Sequence, residues 1–574
     1  MLFMSSEVKT GPYRTHLEYP DLTMYQMFAR ISAQYPDAPA YEFFNRTFTY
    51  EQVLSRINRA ARAFVSLGVG KGDAVTLCMP NLPQTVDAFY ALNRIGAIAN
   101  MIHPLSAEDE IVYYLNLSAS RFILVPDMFY EKVKNALKQT DYDVTVLCAR
   151  IQDELPLHLK AAYIARAGMP YLKYPLEGDI AWQKYLMKDH DVSLPGIHFD
   201  KNRTSVILYS GGTTGRSKGV CLSDLNFNAL ALQAREAIQE EFRPGLTMLA
   251  CMPMFHGFGL GINIHAVLIH GVACLLMPNF NIRSYTNMLR KKKPSLIAGV
   301  PTIFEALLNA EGLKDLDMSF LKGVFCGGDT LSVELKKKVD AFLHEHNADI
   351  QIREGYGLTE CVTASCLTPK NEYRDGSIGL AFPDTVYDIV APGTDESLPL
   401  LEEGEIVLKG PTLMLGYLHN EEETALALRK RSDGDTWLYT GDIGLMDEDG
   451  YVYFKRRLKR MIVTNGYNVY PDQLEDVISK IPGVLLSCVI GRKDERRGQR
   501  VCAYVVKEKA EADEDEIRKQ IMAKLEKSIA RYALPEEIEF RKDLPRTLVG
   551  KVAYHVLEEE EESSKQMSNI QLSA

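Results

Sequence analysis

Apolar positions along the chain alternate between two spacings, and the alternation predicts the elements. From Glu51 to Leu67, Val53, Leu54, Ile57, Ala61, Phe64 and Val65 fall on one helical stripe, and Gly68 follows where a left-handed cap is favoured. A strand-type run, DAVTLCMPN, comes next, then helix-like QTVDAFYALNRIG, then strand-like RFILVPD (Arg121–Asp127) and DVTVLCA (Asp143–Ala149). Helices feeding buried strands predict an α/β architecture. Residues Gln152–Pro195 have weak periodicity and read as a long connection holding at least one helix. From Ser205 the buried runs SVILYS, TMLACMPM, VACLLMP, PSLIAGVP and LKGVFCGG each end near Gly, Pro or a polar loop. Loops at the ends of such strands are where an α/β protein builds its site.

After Tyr451 the texture changes to a basic run, KRRLKR, a Gly turn, and the compact pattern VLLSCVIG, RVCAYVVK and a helix from Asp513 carrying Ile517, Ile521, Leu525 and Ile529. Asp513 and Glu516 suit a cap for that helix. The expected division is a large multi-subdomain N-terminal domain of mixed sheets and helices (1–458), a small mobile α+β C-terminal domain (459–557), and a disordered acidic and polar tail (558–574).

Composition narrows the class. At about 150 residues per domain, 574 residues suggest about four compact units, with an apolar fraction of 46% and a charged fraction of 25% typical of globular chains. A net charge of -11, from 76 acidic and 65 basic residues, gives no overall basic bias towards nucleic acid. The ten cysteines are scattered singly without a CxxC pair, which predicts buried thiols in a reducing compartment and neither disulfides nor a structural metal. The start, MLFMSSEVKT, lacks the apolar stretch of a secretory signal, so a cytoplasmic location is expected. Ala266–Pro278, the most apolar segment, contains a His and is shorter than the roughly 18 residues of a membrane span, so it reads as a buried strand or core helix. No amphipathic anchor stands out, and peripheral membrane contact and the choice of monomer or homodimer stay open.

The sharpest chemical segment is Tyr209–Val220, YSGGTTGRSKGV, directly after a strand. Ser210, Gly211, Gly212, Thr213, Thr214 and Gly215 offer inward-turned N–H groups and hydroxyls, and Lys218 adds positive charge, a combination suited to a polyphosphate. It is not a Walker loop, since GKS or GKT is absent. Six further blocks follow in order: PMFHGFG (253–259), GGDTLS (327–332), EGYGLTE (354–360), WLYTGD (437–442), RLKRMIVTNGYNVYP (457–471) and PRTLVGKV (545–552).

With these seven blocks the chain resembles the adenylate-forming superfamily of acyl-CoA synthetases, luciferases and peptide-synthetase adenylation domains, over about Tyr25 to Lys551. The resemblance implies that Tyr356 stacks on adenine beside Gly327, Gly328, Asp329 and Gly357, that Asp442 accepts both ribose hydroxyls with help from Arg457, and that Thr359 donates to the α-phosphate. Glu360 would hold Mg²⁺ against the triphosphate, and Lys551 would neutralise charge growing on the α-phosphate. Lys459 would be the hinge that presents first Lys551 and then the segment with Gly466. His256 would gate an acyl site that includes Gly261 and Val300, and Gly259 and Gly261 would leave room for a deep apolar channel. The chain departs from many members at Ser217, where they carry Pro.

Within the superfamily, an amino-acid-activating domain needs a carboxylate for the substrate ammonium, and FHGFGLGINI has none. YSGGTTG and NGYNVYP are most similar to bacterial medium- and long-chain fatty acyl-CoA ligases. The implied reaction joins a carboxylic acid to CoA with ATP and Mg²⁺, releasing AMP and diphosphate. An aryl- or bile-type acid ligase, an enzyme loading a carrier protein, and a silent nucleotide-binding regulator remain as alternatives.

Overall fold

A computed structural model describes residues 12–167, 175, 177–210, 217–458, 462–464, 467–469, 471–494, 498–529, 533–546, 552–554 and 556–560. The helix Tyr50–Ser66 forms on the expected stripe: Thr49 caps it reciprocally with Gln52, Val53, Ile57, Ala61 and Phe64 are buried, and Gly68 takes φ +86° after the last turn. It packs on Pro83–Arg94, whose start carries Pro at the first helical position. Arg56 joins these helices to the rest of the body by ion pairs to buried Asp87 at 2.6 Å and Glu154 at 2.7 Å.

Two large sheets organise the N-terminal body. An eight-stranded sheet contains the parallel neighbours Ile98–Met101, Ala74–Leu77, Phe122–Pro126 and Thr145–Ala149, and continues through Thr204–Ser210 to the antiparallel Lys218–Ser223. A nine-stranded sheet sets Thr247–Ala250, Leu296–Gly299, Gly323–Cys326 and Ile352–Tyr356 side by side and parallel. Both are buried as near-continuous Val, Ile and Leu runs, as parallel strands covered on two faces must be. The segment from Ala266 resolves into a helix end and the buried strand Ala273–Leu276. The connection 152–195 holds the helices Leu157–Ala167 and Trp182–Leu186. A smaller sheet carries the long strand Thr436–Met446 against Val452–Arg457.

Beyond residue 461 a separate core forms around Ile478, Val489, Val505, Ile521 and Leu525. The helix Glu514–Ser528 is capped by Asp513, whose side chain accepts from the amides of Asp515 and Glu516, while Ile529 falls just past its end. The boundary of the tail is corrected: residues 556–560 are helical, and Glu560 pairs with Arg541 at 2.6 Å, so 558–560 belong to the folded domain. Residues 561–574 lie outside the described residues. All ten cysteines are buried, and among the described residues no helix is long and apolar enough to cross a membrane.

Candidate active site

Four parallel strands of the nine-stranded sheet end on the same edge, and each leads to one or more of the predicted site residues. Thr247–Ala250 leads to His256, Leu296–Gly299 to Val300, Gly323–Cys326 to Gly327–Asp329, and Ile352–Tyr356 to Gly357–Glu360. Parallel register places these turns together at the carboxyl edge, where an α/β sheet opens a crevice. Sequence-distant residues therefore meet because their strands are neighbours.

One wall comes from GGD. Gly328 holds φ +82°, and a Cβ there would sit 3.4 Å from Val300 Cγ1; a Cβ at Gly327 would come within 3.0 Å of the Gly355 carbonyl oxygen. Asp329 lies at the exposed rim, with its carboxylate accepting from the Thr330 amide at 2.9 Å. Behind this turn, Glu354 accepts from the Leu331 amide at 3.0 Å, and burial pushes its carboxyl up to about 8. Glu354 was not a sequence candidate. Its only signal was a carboxylate in a buried strand position, just before the tyrosine.

Tyr356 follows directly. Its hydroxyl donates to Asp442 Oδ2 at 2.6 Å, and Arg457 Nε pairs with Asp442 Oδ1 at 3.3 Å. Asp442 and Arg457 are cross-strand partners, and a register irregularity beside Asp442 breaks the regular ladder of Thr436–Met446 at that point. Gly441 at φ +69° precedes it, so this aspartate sits inside a strand rather than in a turn. Burial and the adjacent Asp442 carboxylate hold the Tyr356 phenol well above its usual range, while Asp442 raises the Arg457 guanidinium. Tyr356 stays neutral and Arg457 charged, and the carboxylate has one donor on each oxygen.

Thr359 and Glu360 lie in the short 3-10 turn Thr359–Cys361, which packs against the strand ending at Ser210. Glu360 Oε1 accepts from the Tyr417 hydroxyl at 2.8 Å, and Lys218 Nζ lies 4.7 Å from the centroid of the same ring while pairing with Glu423. Tyr417 thus contacts both, its ring under Lys218 and its hydroxyl on Glu360. Tyr417 and Glu423 were missed by sequence reading, because they reach the site only through the strand pair Gly416–Tyr417 with Val220–Cys221. Gly211, Gly212, Thr213, Thr214 and Gly215 lie outside the described residues, flanked by Ser210 and Lys218, which pair across the strands.

At the His256 block the chain forms a π-helix, Phe258–Ala266, a geometry concentrated at functional sites. His256 Nδ1 accepts from the Phe258 amide at 3.2 Å. The expectation that Gly259 and Gly261 leave an open channel is corrected. A Cβ at Gly259 would meet the Pro253 carbonyl oxygen at 2.0 Å, and one at Gly261 would meet Leu230 Cδ2 at 2.8 Å, so the protein's own atoms fill that room. These glycines admit close packing.

Lys459, Gly466 and Lys551 fall outside the described residues. On either side of 547–551, Arg546 and Val552 bridge antiparallel and the Ala553 amide donates to Pro545 at 2.8 Å. Burial raises the carboxyl of Glu305 against the pull of Arg546, and Tyr554 acts on Arg457. Among the described residues no group of three or more His, Cys, Asp or Glu could hold a metal. A lone hard oxygen donor such as Glu360 suits an ion that arrives with phosphate oxygens and keeps its own waters.

Tyr356, Asp442 and Arg457 thus stand at the sheet edge that also carries Thr359, Glu360, Tyr417 and Lys218. Residues 28–418 match the family model for the AMP-binding enzyme, and residues 473–551 match the AMP-binding enzyme C-terminal domain. The chain belongs to the AMP-binding enzyme family. It is 32% identical over 534 residues to a long-chain-fatty-acid–CoA ligase of Bacillus subtilis, covering 91% of this chain and 92% of that one. It is 29% identical over 455 residues to the probable 4-coumarate–CoA ligase 3 of Dictyostelium discoideum, covering 79% and 80%. A solved Mycobacterium tuberculosis fatty acyl CoA synthetase superposes with a TM-score of 0.70 at 27% identity, covering 94% of this chain and 99% of its own.

Proposed function

We propose that this AMP-binding enzyme is an acid–thiol ligase that activates a medium- or long-chain aliphatic acid as its adenylate and transfers the acyl group to CoA. The observation that carries the reading is the convergence of Tyr356–Asp442–Arg457 with Thr359–Glu360–Tyr417–Lys218 at one sheet edge. Tyr356 offers an aromatic face to adenine, and stacking of a base is worth about 1–3 kcal/mol. Asp442 offers ribose hydroxyls two anionic oxygens already aligned by Tyr356 and Arg457.

Attack by the substrate carboxylate on the α-phosphorus expels pyrophosphate; the CoA thiolate then attacks the acyl carbonyl and AMP leaves. Lys218, Thr359 and Lys551 supply donors where charge develops on phosphate. Mg²⁺ held by Glu360 would add charge neutralisation at the triphosphate. Lys459 serves as the hinge, and Gly466 belongs to the segment that follows in the thioester step, two chemistries sharing one pocket. The acyl side rests on His256 and Val300, and the names of the relatives favour a fatty acid over an aryl one. Ten buried cysteines scattered singly support a reducing, cytoplasmic setting.

The test supplies ATP, Mg²⁺ and CoA with a panel of short, medium, long and aromatic acids, following acid-dependent ATP–pyrophosphate exchange and CoA-thioester together. A thioester preference for unbranched acids of eight or more carbons (about a tenfold margin) is expected. Exchange without thioester from any acid would reassign the acceptor to a carrier protein.

A further inference from the structure

Val362 adopts φ +67° and ψ -58°, a region that β-branched residues almost never occupy. The Thr363 amide donates to the Cys361 carbonyl at 2.9 Å, closing a three-residue γ-turn of the strained, positive-φ kind, and the Val362 amide donates to Thr359 at 3.0 Å. The residue is fully buried, so neither solvent nor chain ends explain its conformation. Glycine would occupy this backbone region freely, yet valine stands there.

The turn lies where two functional loops interlock. A Cβ at Gly257, next to His256, would fall 1.7 Å from the Val362 carbonyl oxygen, and one at Gly261 would lie 3.2 Å from Val362 Cγ1. On the other side, the reversal brings Thr363 back onto Gly357, where a Cβ would meet the Thr363 carbonyl oxygen at 2.0 Å. Tyr356 O then accepts from the Ser365 amide at 2.9 Å, closing the loop that carries Thr359 and Glu360. The Glu360 carbonyl accepts from Met414 at 2.8 Å, so the loop is fixed at its middle as well.

Backbone strain persists only where surrounding structure over-determines it, and it collects at sites that need a fixed geometry. We propose that Val362 is a positioning residue for adenylation: its γ-turn keys the acyl-side loop at His256–Gly257 to the phosphate-side pair Thr359–Glu360, so that both substrates are held in one register. The inference rests on the ligase reading above.

Val362→Gly and Val362→Ala both remove the two γ-methyls, but only glycine also loses Cβ and relaxes the backbone. The measurement is kcat and KM for ATP in acid-dependent pyrophosphate exchange, with Tm for each variant. V362G is expected to melt at or above V362A and yet to show a kcat at least tenfold lower, with ATP KM within threefold. Val362→Thr, which keeps the branching, is expected to recover most of the wild-type kcat. Equal kcat for V362G and V362A, or losses that simply follow Tm, would overturn the role. Should V362G not fold, V362A decides with V362T: a loss in kcat restored by Thr is expected, and a loss confined to KM or left unrestored overturns the proposal. No exchange by the wild type with any acid sinks the ligase reading itself, whereas an active wild type with an equally active V362G sinks this role alone.

Discussion

Glu354→Gln tests how the adenine-side wall is held. Glu354 is 4% exposed, and burial lifts its carboxyl from an ordinary 4.5 to about 8, while one oxygen accepts from the Leu331 amide. A carboxyl whose folded value is raised is protonated more readily in the fold than in the unfolded chain. Its contribution is therefore fully favourable at low pH and is lost as pH rises from about 4.5 to about 8. Across pH 5 to 8 that loss amounts to about 3 kcal/mol, at 1.36 kcal/mol per pH interval between the two values. Glutamine keeps an acceptor for Leu331 and has nothing to titrate. Urea unfolding of wild type and E354Q at pH 5 and pH 8 should show E354Q gaining about 3 kcal/mol on wild type between the two. A stability difference that is the same at both pH values would refute the reasoning, since it would mean that Glu354 does not titrate in that window.

Three further outcomes are expected. Asp442→Ala removes the acceptor of Tyr356 and the partner of Arg457, and with it charge-assisted bonds worth about 1.5–3 kcal/mol each, so ATP saturation curves should show KM rising roughly 10- to 100-fold with the acid's KM nearly unchanged. Arg56→Ala leaves Asp87 buried without its cation and Glu154 with only the more exposed Arg46 at 3.9 Å, which should cost about 3–5 kcal/mol in urea unfolding while the active site keeps its residues. Lys551→Ala should slow single-turnover adenylate formation by about 10²–10³ and spare thioester formation from preformed acyl-adenylate; equal loss in both steps would remove its assignment to the first.

What the sequence disclosed tracks how local each signal is. The helix Tyr50–Ser66 is written in its own stripe and its Thr49 cap, and the parallel strands in their unbroken apolar runs, so the α/β body was legible without partners. The candidate site was legible because its blocks sit at strand ends. Tyr417 and Glu423 were not, since their contacts to Glu360 and Lys218 span 57 and 205 residues and depend on strand pairing. Gly259 and Gly261 show a related limit: the absence of a side chain marks close approach without saying what approaches, and here Pro253 and Leu230 do. The strain at Val362 has no sequence signal at all, because valine is the residue least expected in a positive-φ turn.

The central claim is that the acid is joined to AMP before it meets CoA, and isotope transfer tests this most directly. An aliphatic acid labelled with ¹⁸O in both carboxylate oxygens is turned over with ATP, Mg²⁺ and CoA, and the AMP is read by mass spectrometry. Attack of the carboxylate on the α-phosphorus, followed by thiolysis at the acyl carbon, leaves one labelled oxygen on each AMP formed. AMP carrying one ¹⁸O per thioester is the predicted result; thioester formed alongside unlabelled AMP, or label appearing in pyrophosphate instead, would contradict the account.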